Sequence, residues 1–385
     1  MRAHLSRRLI TEKGFSFVAV EGDWPDCYRI NRYIKGYPDG GAGACQALQQ
    51  FDRWPTWMWA NREVAAFATW LRAWNARAPP SEAVGFHGLD VYSLWESLDA
   101  VLRFLEAQGE LPAAEAARRA EACFAPYARD PQAYASATAA FVPTHCQAEA
   151  AALLLELRRE RLEGDADEAL LDAEQDAHVV AGAEAYYRAM VRGGPESWNV
   201  RDRHMVATLD RLLDRHGPDA KAVVWEHNTH VGDARATDMA DEGMVNVGQL
   251  VREARPPEDV VLVGFGTHAG TVVAAPAWEA PPQRMTVPEA RPGSWEDLFH
   301  RAGGDRLVLL DELGAGPGVE TRRGHRAIGV VYDPRQERWG NYVPTVLPAR
   351  YDAFLFLDRT RALDPLHGVP VRPAEEPPET WPFGE

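Results

Sequence analysis

The sequence of 385 residues lacks several features that would assign a function class at once. It has only four cysteines, Cys27, Cys45, Cys123 and Cys146, and they lie too far apart for a zinc ribbon or a Cys-x-x-Cys redox site. No apolar run approaches the roughly 20 residues that span a bilayer, and the first ten residues do not resemble a signal peptide. These absences predict a reduced, soluble, cytoplasmic protein.

Basic residues are outnumbered by acidic ones. The chain has 41 Lys and Arg against 57 Asp and Glu, which gives a formal net charge of −16. A charge of this sign repels phosphate backbones and anionic lipid headgroups. We therefore expect neither nucleic acid nor a membrane surface as a partner.

Three common site motifs are also missing. No strand-like run is followed by the Gly-x-Ser-x-Gly turn that exposes a nucleophilic serine. Cys27 has no neighbouring base, which argues against a cysteine nucleophile. Gly264, Gly266 and Gly270 come near the spacing of a dinucleotide-binding turn, but the polar residues between them suit an active-site loop at least as well. The sequence therefore predicts no cofactor.

The sequence does contain the alternation of strands and helices that is typical of an α/β protein, with 46% hydrophobic and 25% charged residues. Apolar runs rich in Val, Phe and Ile predict buried parallel strands, which need helices on both faces. We expect a three-layer α/β/α fold with a mainly parallel sheet and a large helical insertion. The predicted strands are 15–20, 83–86, 222–225, 260–265, 307–310, 327–332 and 353–357. The predicted helices are 2–13, 62–76, 94–107, 113–128, 147–162, 168–191, 202–215 and 239–252.

The chain is predicted to form one domain over residues 1–385. Residues 93–216 carry helical patterns without a convincing strand and predict a helical insertion or cap within that domain. Residues 369–385 are rich in proline and predict a loosely ordered tail. Because the chain opens with a helix, whereas an α/β sheet usually opens with a strand, we expect the front of the fold to be missing.

Acids and imidazoles follow four of the apolar runs. Ligands of open α/β sheets bind beyond the carboxyl ends of the strands, so we expect one site there. A carboxylate beside imidazoles can fix a tautomer and leave one ring able to take a proton from water near pH 7, as a hydrolase requires. The candidates at these strand ends are Glu21, Asp23 and Trp24, then His87 and Asp90, then His227, Asn228 and His230, and finally His268.

Two interpretations of the histidine pair stay open. His227 and His230 are three residues apart, so one helical turn would place both rings on a common face. They either chelate a metal with a further ligand, or one ring moves a proton while the other holds oxyanion charge. The tryptophans around Trp57 either form a binding wall or pack in the core. Oligomeric state also stays open, because the leucine-rich helix faces fit internal packing or a subunit interface.

With these residues in view, the sequence resembles the erythromycin esterase family. The resemblance covers nearly the whole chain, and it is to the broad bacterial branch that is also labelled succinoglycan biosynthesis protein. The segments that carry it include VAVEGDWPDCYRINRYIKG, GFHGLDVYSLWESLDAVL, WNVRDRHM, VVWEHNTHVGDARATDM and GFGTHAGTVVAA.

This resemblance implies hydrolysis of an ester or lactone by imidazole-activated water, without a covalent intermediate and without a metal or cofactor. The substrate in the antibiotic-resistance members is a macrolactone. The family's acid falls on Glu21, its two imidazoles on His227 and His230, and its helix arginine on Arg2. The imidazoles would polarise a substrate oxygen, Glu21 would orient an imidazole or the water, and Arg2 would hold an oxyanion. The predicted substrate-binding residues are Asp23, Trp24, Trp57, Asp90, Asn228 and His268.

One departure from the family pattern concerns the start of the chain. The family has a Gly-Glu-x-x-His-Gly turn ahead of the point where this sequence begins, and that turn supplies the proposed general base. Either a misplaced start codon or a real deletion would produce such a chain. If the sequence is complete, we expect activity to be impaired, since a positioned base contributes on the order of 10²–10⁴ in rate. The alternatives are a metal-dependent hydrolase that uses His227 and His230, and a degenerate binding protein without turnover.

Overall fold

The computed structural model describes residues 1–108, 112–127, 129–140, 144–163, 168–313 and 318–368. The tail predicted for 369–385 lies outside these residues. The strands are β1 (Phe17–Asp23), β2 (Gly85–Asp90), β3 (Ala222–Trp225), β4 (Val263–Ala274), β5 (Gln283–Val287), β6 (Arg306–Leu309), β7 (Arg323–Arg326), β8 (Tyr342–Thr345) and β9 (Ala353–Thr360). The helices are α1 (Arg2–Lys13), α2 (Trp24–Lys35), α3 (Ala44–Leu48), α4 (Arg62–Asn75), α5 (Leu94–Gln108), α6 (Pro112–Phe124), α7 (Pro131–Thr138), α8 (Gln147–Glu163), α9 (Glu168–Met190), α10 (Glu196–His216), α11 (Asn228–Val231), α12 (Val247–Ala254), α13 (Trp295–Ala302), α14 (Glu337–Gly340) and α15 (Leu347–Arg350).

Strand β1 is the centre of a three-stranded parallel sheet with the order β2-β1-β3. All seven residues of β1 are buried, and alternate side chains enter different cores because successive residues of a strand point to opposite faces. Val18 and Val20 pack with residues of α2 and α4, whereas Phe17 and Ala19 pack with residues of α10. Helices cover both faces of the sheet, as the predicted α/β/α fold requires.

The remaining strands form two further sheets. A four-stranded sheet has the order β5-β4-β9-β6, in which β4 runs parallel to β9 and the outer strands run antiparallel. Strands β7 and β8 form an antiparallel pair. Phe354 and Phe356 of β9 pack on Trp295 and Phe299 of α13. The α/β fold is confirmed, but the strands of the described residues lie in three sheets, of which the first alone is entirely parallel.

Six helices, α5 to α10, occupy the chain between β2 and β3. Leucine and alanine side chains from α5, α6, α8 and α9 share one hydrophobic core there. Cys123 and Cys146 form a disulfide within this helical segment, which the expectation of a reduced protein did not anticipate. In the described part of the chain, no helix combines the length and the apolar character that crossing a membrane would need.

Two of the differences from the sequence prediction concern one helix and one strand. The helix predicted over 239–252 begins only at Val247, because Gly243 adopts a positive φ of 80° in the turn that precedes it. The strand predicted over 327–332 is an irregular segment whose one bridge joins Val331 to Ala275, just beyond the end of β4. Its apolar residues match the pattern of a strand, but among the described residues no strand pairs with the segment along its full length.

Candidate active site

Two strand ends of the parallel sheet each supply a buried carboxylate to a common centre. Glu21 lies near the end of β1 and Asp90 is the last residue of β2. Gly22, next to Glu21, leaves room for Trp59, whose indole Nε1 would lie 2.8 Å from a Cβ at that position. Trp59 Nε1 donates to the Glu21 carbonyl at 2.8 Å. Local sequence and packing thus fix the backbone that carries the first carboxylate.

Arg201 of α10 joins both carboxylates. Its Nη2 donates to Glu21 Oε1 at 2.8 Å and to Asp90 Oδ2 at 2.7 Å, and its Nε donates to Asp90 Oδ1 at 2.9 Å. The Arg201–Asp90 contact is therefore bidentate, the geometry in which a guanidinium binds a carboxylate most strongly. The guanidinium also lies 4.8 Å from the ring centroid of Tyr92.

His230 forms a dyad with Asp202, the residue after Arg201. His230 Nδ1 lies 2.9 Å from Asp202 Oδ2, and His230 Nε2 lies 3.0 Å from Arg201 Nη1. A guanidinium can only donate, so Nε2 accepts and the ring proton belongs on Nδ1, which donates to Asp202. The indole of Trp198 stacks on the imidazole at a centroid distance of 4.4 Å. The second ring nitrogen of His230 is thus a proton acceptor directed at Arg201, close to Glu21.

His227 has a different setting, although it belongs to the same motif. Its backbone N–H donates to Glu21 Oε2 at 2.8 Å. Its Nε2 lies 3.0 Å from the Ile328 carbonyl and must donate to it, while Nδ1 accepts from the Thr229 hydroxyl at 2.8 Å. Burial lowers the pKa of His227 to about 4, and Glu21 only partly opposes this shift. The ring is therefore neutral at pH 7, and both of its nitrogens are engaged.

Charge pairing keeps the two carboxylates ionised despite their burial. Burial alone would raise the pKa of Glu21, but His230 and Arg201 outweigh it and the pKa lies below its ordinary value. For Asp90, burial is outweighed by Arg201, and the pKa falls to about 2. Burial raises the pKa of Asp202, although His230 opposes that shift. The centre thus combines two anionic acids with one guanidinium and one oriented imidazole.

A cavity of about 130 Å³ opens onto this centre. Glu21, Asp90 and Arg201 form its polar side. Trp54 and Trp278 form part of the opposite side, with their ring centroids 4.5 Å apart, and Trp278 is 59% exposed. The cavity therefore has a charged inner end and an aromatic rim.

The predicted site residues are distributed unevenly around this cavity. Glu21, Asp90, His227 and His230 come together in the way that the strand-end argument expected. Glu21 and Asp90 line the cavity together with Asp23, which is paired with Arg53, whereas His227 and His230 lie outside its described lining. Arg2 lies outside the hydrogen-bonded cluster, with its guanidinium 5.9 Å from the ring centroid of Trp225. The charge of Glu21 nevertheless acts on Arg2.

Four other predicted residues lie apart from the cavity. Trp24 donates to Asp172 and stacks on His87, which is itself buried away from the site. Trp57 is 4% exposed and packs with Val273 and Ala275, behind Trp54. Asn228 of α11 bonds both backbone groups of Phe265 in β4, and His268 of β4 stacks on His300 of α13 with the ring centroids 3.5 Å apart.

Sequence reasoning missed Arg201 and Asp202 as site residues. Both lie in the WNVRDRHM segment, which carried the family resemblance without being assigned a role. The helix there was predicted to begin at 202, but α10 begins at Glu196, so a full turn precedes Arg201. Trp278 was missed because it lies in a proline-rich loop, where sequence periodicity gives no direction to a side chain.

The two histidines are not arranged to chelate a metal. Both nitrogens of His230 are already engaged, and the guanidinium of Arg201 beside Nε2 would repel a cation. His227 Nε2 faces a backbone carbonyl instead of the other ring. Among the residues that the structure describes, no three His, Cys, Asp or Glu side chains converge on a possible metal position.

Glu226 is a third buried acid next to this centre. Neither carboxyl oxygen has a hydrogen-bond partner within the described structure. Burial raises the pKa of Glu226 well above its ordinary value, and the nearby carboxylates of Glu21 and Asp202 raise it further. The folded protein therefore favours the protonated form of Glu226.

Glu226→Gln is expected to stabilise the protein, and the gain should grow with pH. A raised native pKa means that the folded state binds a proton that the unfolded state releases above about pH 4.3, so the wild type loses stability as pH rises from there. The difference in the free energy of unfolding between Glu226→Gln and the wild type should therefore grow by up to about 1.4 kcal/mol for each pH unit above that value. Urea denaturation at pH 5 and pH 8 measures the difference. The exposed Glu242→Gln is the control, and an equal gain at both pH values would contradict the assignment.

The geometry can now be set beside known proteins. The family model described as erythromycin esterase matches residues 10–360, which is most of the chain. The chain belongs to the erythromycin esterase family. This membership supports a hydrolase of that family and confirms the resemblance that the sequence motifs carried.

Solved structures of low sequence identity share the fold. A crystal structure of a succinoglycan biosynthesis protein matches with a TM-score of 0.71 and 19% identity, covering 95% of this chain and 84% of that one. A Bacillus cereus protein matches with a TM-score of 0.74 and 17% identity, covering 95% and 86%. A mutant of the erythromycin esterase EreC in its open conformation matches with a TM-score of 0.67 and 18% identity, covering 93% and 86%.

Proposed function

We propose that this protein hydrolyses a carboxylic ester or lactone with water activated by His230, without a covalent acyl-enzyme. The observation that carries the proposal is the buried cluster in which Asp202 orients His230 and Arg201 holds Glu21 and Asp90 at the inner end of the cavity. An imidazole that a carboxylate holds in one tautomer is suited to general-base work.

The roles follow from the hydrogen-bond directions. His230 Nε2 takes the proton of the attacking water, and Asp202 positions the ring and stabilises the imidazolium that forms. To take that proton, Nε2 releases the N–H of Arg201 Nη1, 3.0 Å away, because its single lone pair cannot accept from both. That N–H is then free to donate to the oxyanion of the tetrahedral intermediate. Glu21 and Asp90 hold the guanidinium in place during this exchange.

The wall of the cavity supports direct attack by water. Its described lining contains no serine and no cysteine, and the hydroxyl groups in that lining are those of Thr56 and Tyr92. Cys27 is buried in the core, and burial raises the pKa of its thiol well above the ordinary value. A thiol in that state is a poor nucleophile.

The substrate we propose is a small or medium ester or lactone whose apolar body rests on the tryptophan rim. A cavity of about 130 Å³ admits the reacting group, while the rest of the molecule contacts Trp54 and Trp278. A macrolactone is one candidate, because the solved neighbour EreC carries the name erythromycin esterase.

Hydrolysis of p-nitrophenyl esters and of simple lactones tests the proposal. We expect turnover by the wild type that is insensitive to EDTA, and a fall of at least about tenfold in Glu21→Gln, which loses one charge-assisted partner of Arg201. Loss of activity with EDTA would favour the metal-dependent alternative. Tight binding of an ester without turnover would favour a binding protein.

Trp278→Ala should separate binding from chemistry. Removing the exposed ring is expected to raise KM about tenfold for a bulky aromatic ester and to leave kcat nearly unchanged, because the ring contacts the body of the substrate and not the reacting carbonyl. The change should be small for an acetate ester. Trp339→Ala is the control, since Trp339 is 76% exposed and does not line the cavity. Equal effects on both esters would remove Trp278 from substrate recognition.

A further inference from the structure

A second cavity, of about 600 Å³, lies among α8, α9 and α10, with Trp24 of α2 at one wall. It shares no lining residue with the candidate active site. Its volume falls within the range of about 300–1,000 Å³ that is ordinary for small-molecule sites. The hydrolase mechanism makes no use of it.

The charge of this second cavity is opposite to that of the whole chain. Four arginines line it, Arg158, Arg161, Arg211 and Arg215, together with two carboxylates, Glu174 and Asp214. The lining therefore carries an excess of two positive charges in a protein whose formal net charge is −16. Arginines in such a protein usually find acidic partners, so an uncompensated group of them points to an anion from outside.

Arg211 shows most clearly that the arginines are not fully paired. Its Nε donates to Gln175 Oε1 at 2.7 Å and its Nη2 donates to Thr208 Oγ1 at 2.9 Å. Both acceptors are neutral, and Arg211 forms no ion pair with any described residue. Burial lowers its pKa to about 10, so it is still a cation at pH 7. A guanidinium with neutral partners has the donors and the charge to bind an oxyanion.

Arg215 lies 3.8 Å from Glu168, outside the lining, whereas two of the other arginines share one acid. Arg158 lies 3.7 Å from Glu174 Oε1, and Arg161 pairs with the other oxygen of the same carboxylate. His178 lies 3.9 Å from Glu174 but adds no charge, because burial, followed by Arg211, lowers the pKa of the imidazole to about 3. One buried carboxylate thus serves two arginines, and neither of them forms an ion pair with another described residue.

We propose that the second cavity is a binding site for a small organic anion that carries two or more carboxylate or phosphate groups. One anionic group of the ligand would bind Arg211, and another would bind Arg158 and Arg161 across the cavity. Trp24 and Leu212 in the lining give the ligand an apolar surface beside the charges. This inference does not depend on the proposed hydrolytic function.

Isothermal titration calorimetry of the full chain with citrate and with pyrophosphate tests the proposal, with sodium chloride of equal ionic strength as the blank. We expect one molecule bound per chain. Arg211→Gln and Arg158→Gln should each weaken binding about tenfold or more, because each removes a charge-assisted contact. Arg158 is 54% exposed, so its replacement leaves the fold intact. The anion that binds more tightly, citrate or pyrophosphate, shows whether the site prefers carboxylate or phosphate groups.

Two controls locate the binding. Arg118→Gln, on the exposed face of α6, removes an arginine with the same loss of charge and should leave the affinity unchanged. Glu21→Gln alters the candidate active site and should also leave it unchanged. Absence of binding heat for both anions at millimolar concentration would overturn the proposal, and so would equal affinities of Arg211→Gln, Arg158→Gln and the wild type.

Discussion

Arg201→Met is expected to abolish ester hydrolysis and to destabilise the protein at the same time. The guanidinium is the shared partner of Glu21, Asp90 and His230. Its loss leaves two buried carboxylates without their cation, and breaking a buried pair in this way costs about 3–5 kcal/mol. It also removes the proposed oxyanion donor, which contributes about 10²–10³ in rate. Urea denaturation and kcat/KM for a p-nitrophenyl ester measure the two effects.

Arg203→Met provides the matched control, because Arg203 lies two residues away on the same helix and is exposed.

The pH dependence of the free energy of unfolding gives a further check. Asp90 has a pKa of about 2, so its pairing stabilises the protein above the ordinary aspartate value and is lost as pH falls towards 2. The stability difference between wild type and Arg201→Met should therefore shrink in acid. A constant difference, or an unchanged rate, would show that Arg201 does not hold the site together.

His230→Asn is expected to lower kcat by about 10²–10⁴, the contribution of a positioned general base. KM should change little, because the ring acts on water and not on the body of the substrate. His300→Asn is the control, since His300 also pairs with an aspartate, Asp358 at 2.6 Å, but stacks on His268 and belongs to no contact of the Arg201 cluster in the described structure. Equal losses of rate in the two variants would point to a general effect of the substitution and not to base catalysis.

The sequence predicted the part of the site that follows from sheet geometry. The carboxyl ends of β1, β2 and β3 had to meet at one edge, so Glu21, Asp90, His227 and His230 were expected to be neighbours, and they are. His268 was placed at a strand end because the strand was predicted to end at 265. Strand β4 instead continues to Ala274, so His268 lies within the strand. Because successive side chains of a strand point to opposite faces of the sheet, the ring of His268 points to the face where it stacks on His300 of α13.

The residues that the sequence did not predict depend on long-range packing. Arg201 is 180 residues from Glu21 and 111 from Asp90 along the chain, and the whole helical segment separates it from both strands. No local pattern determines which face of α10 meets the sheet edge. Trp278 reaches the rim through an irregular loop. Strand order and helical periodicity therefore determine the carboxylate side of the site, while tertiary contacts determine the guanidinium and the aromatic rim.

The most direct test of the account is a double-mutant cycle on Asp202 and His230, read out as kcat/KM for a chromogenic ester. If Asp202 acts by positioning His230, then Asp202→Asn alone should lower the rate substantially, because the amide no longer favours the tautomer with the proton on Nδ1. In the His230→Asn background the same change should have almost no further effect. Additive losses in the double variant, or a wild-type rate in either single variant, would contradict imidazole-activated hydrolysis at this site.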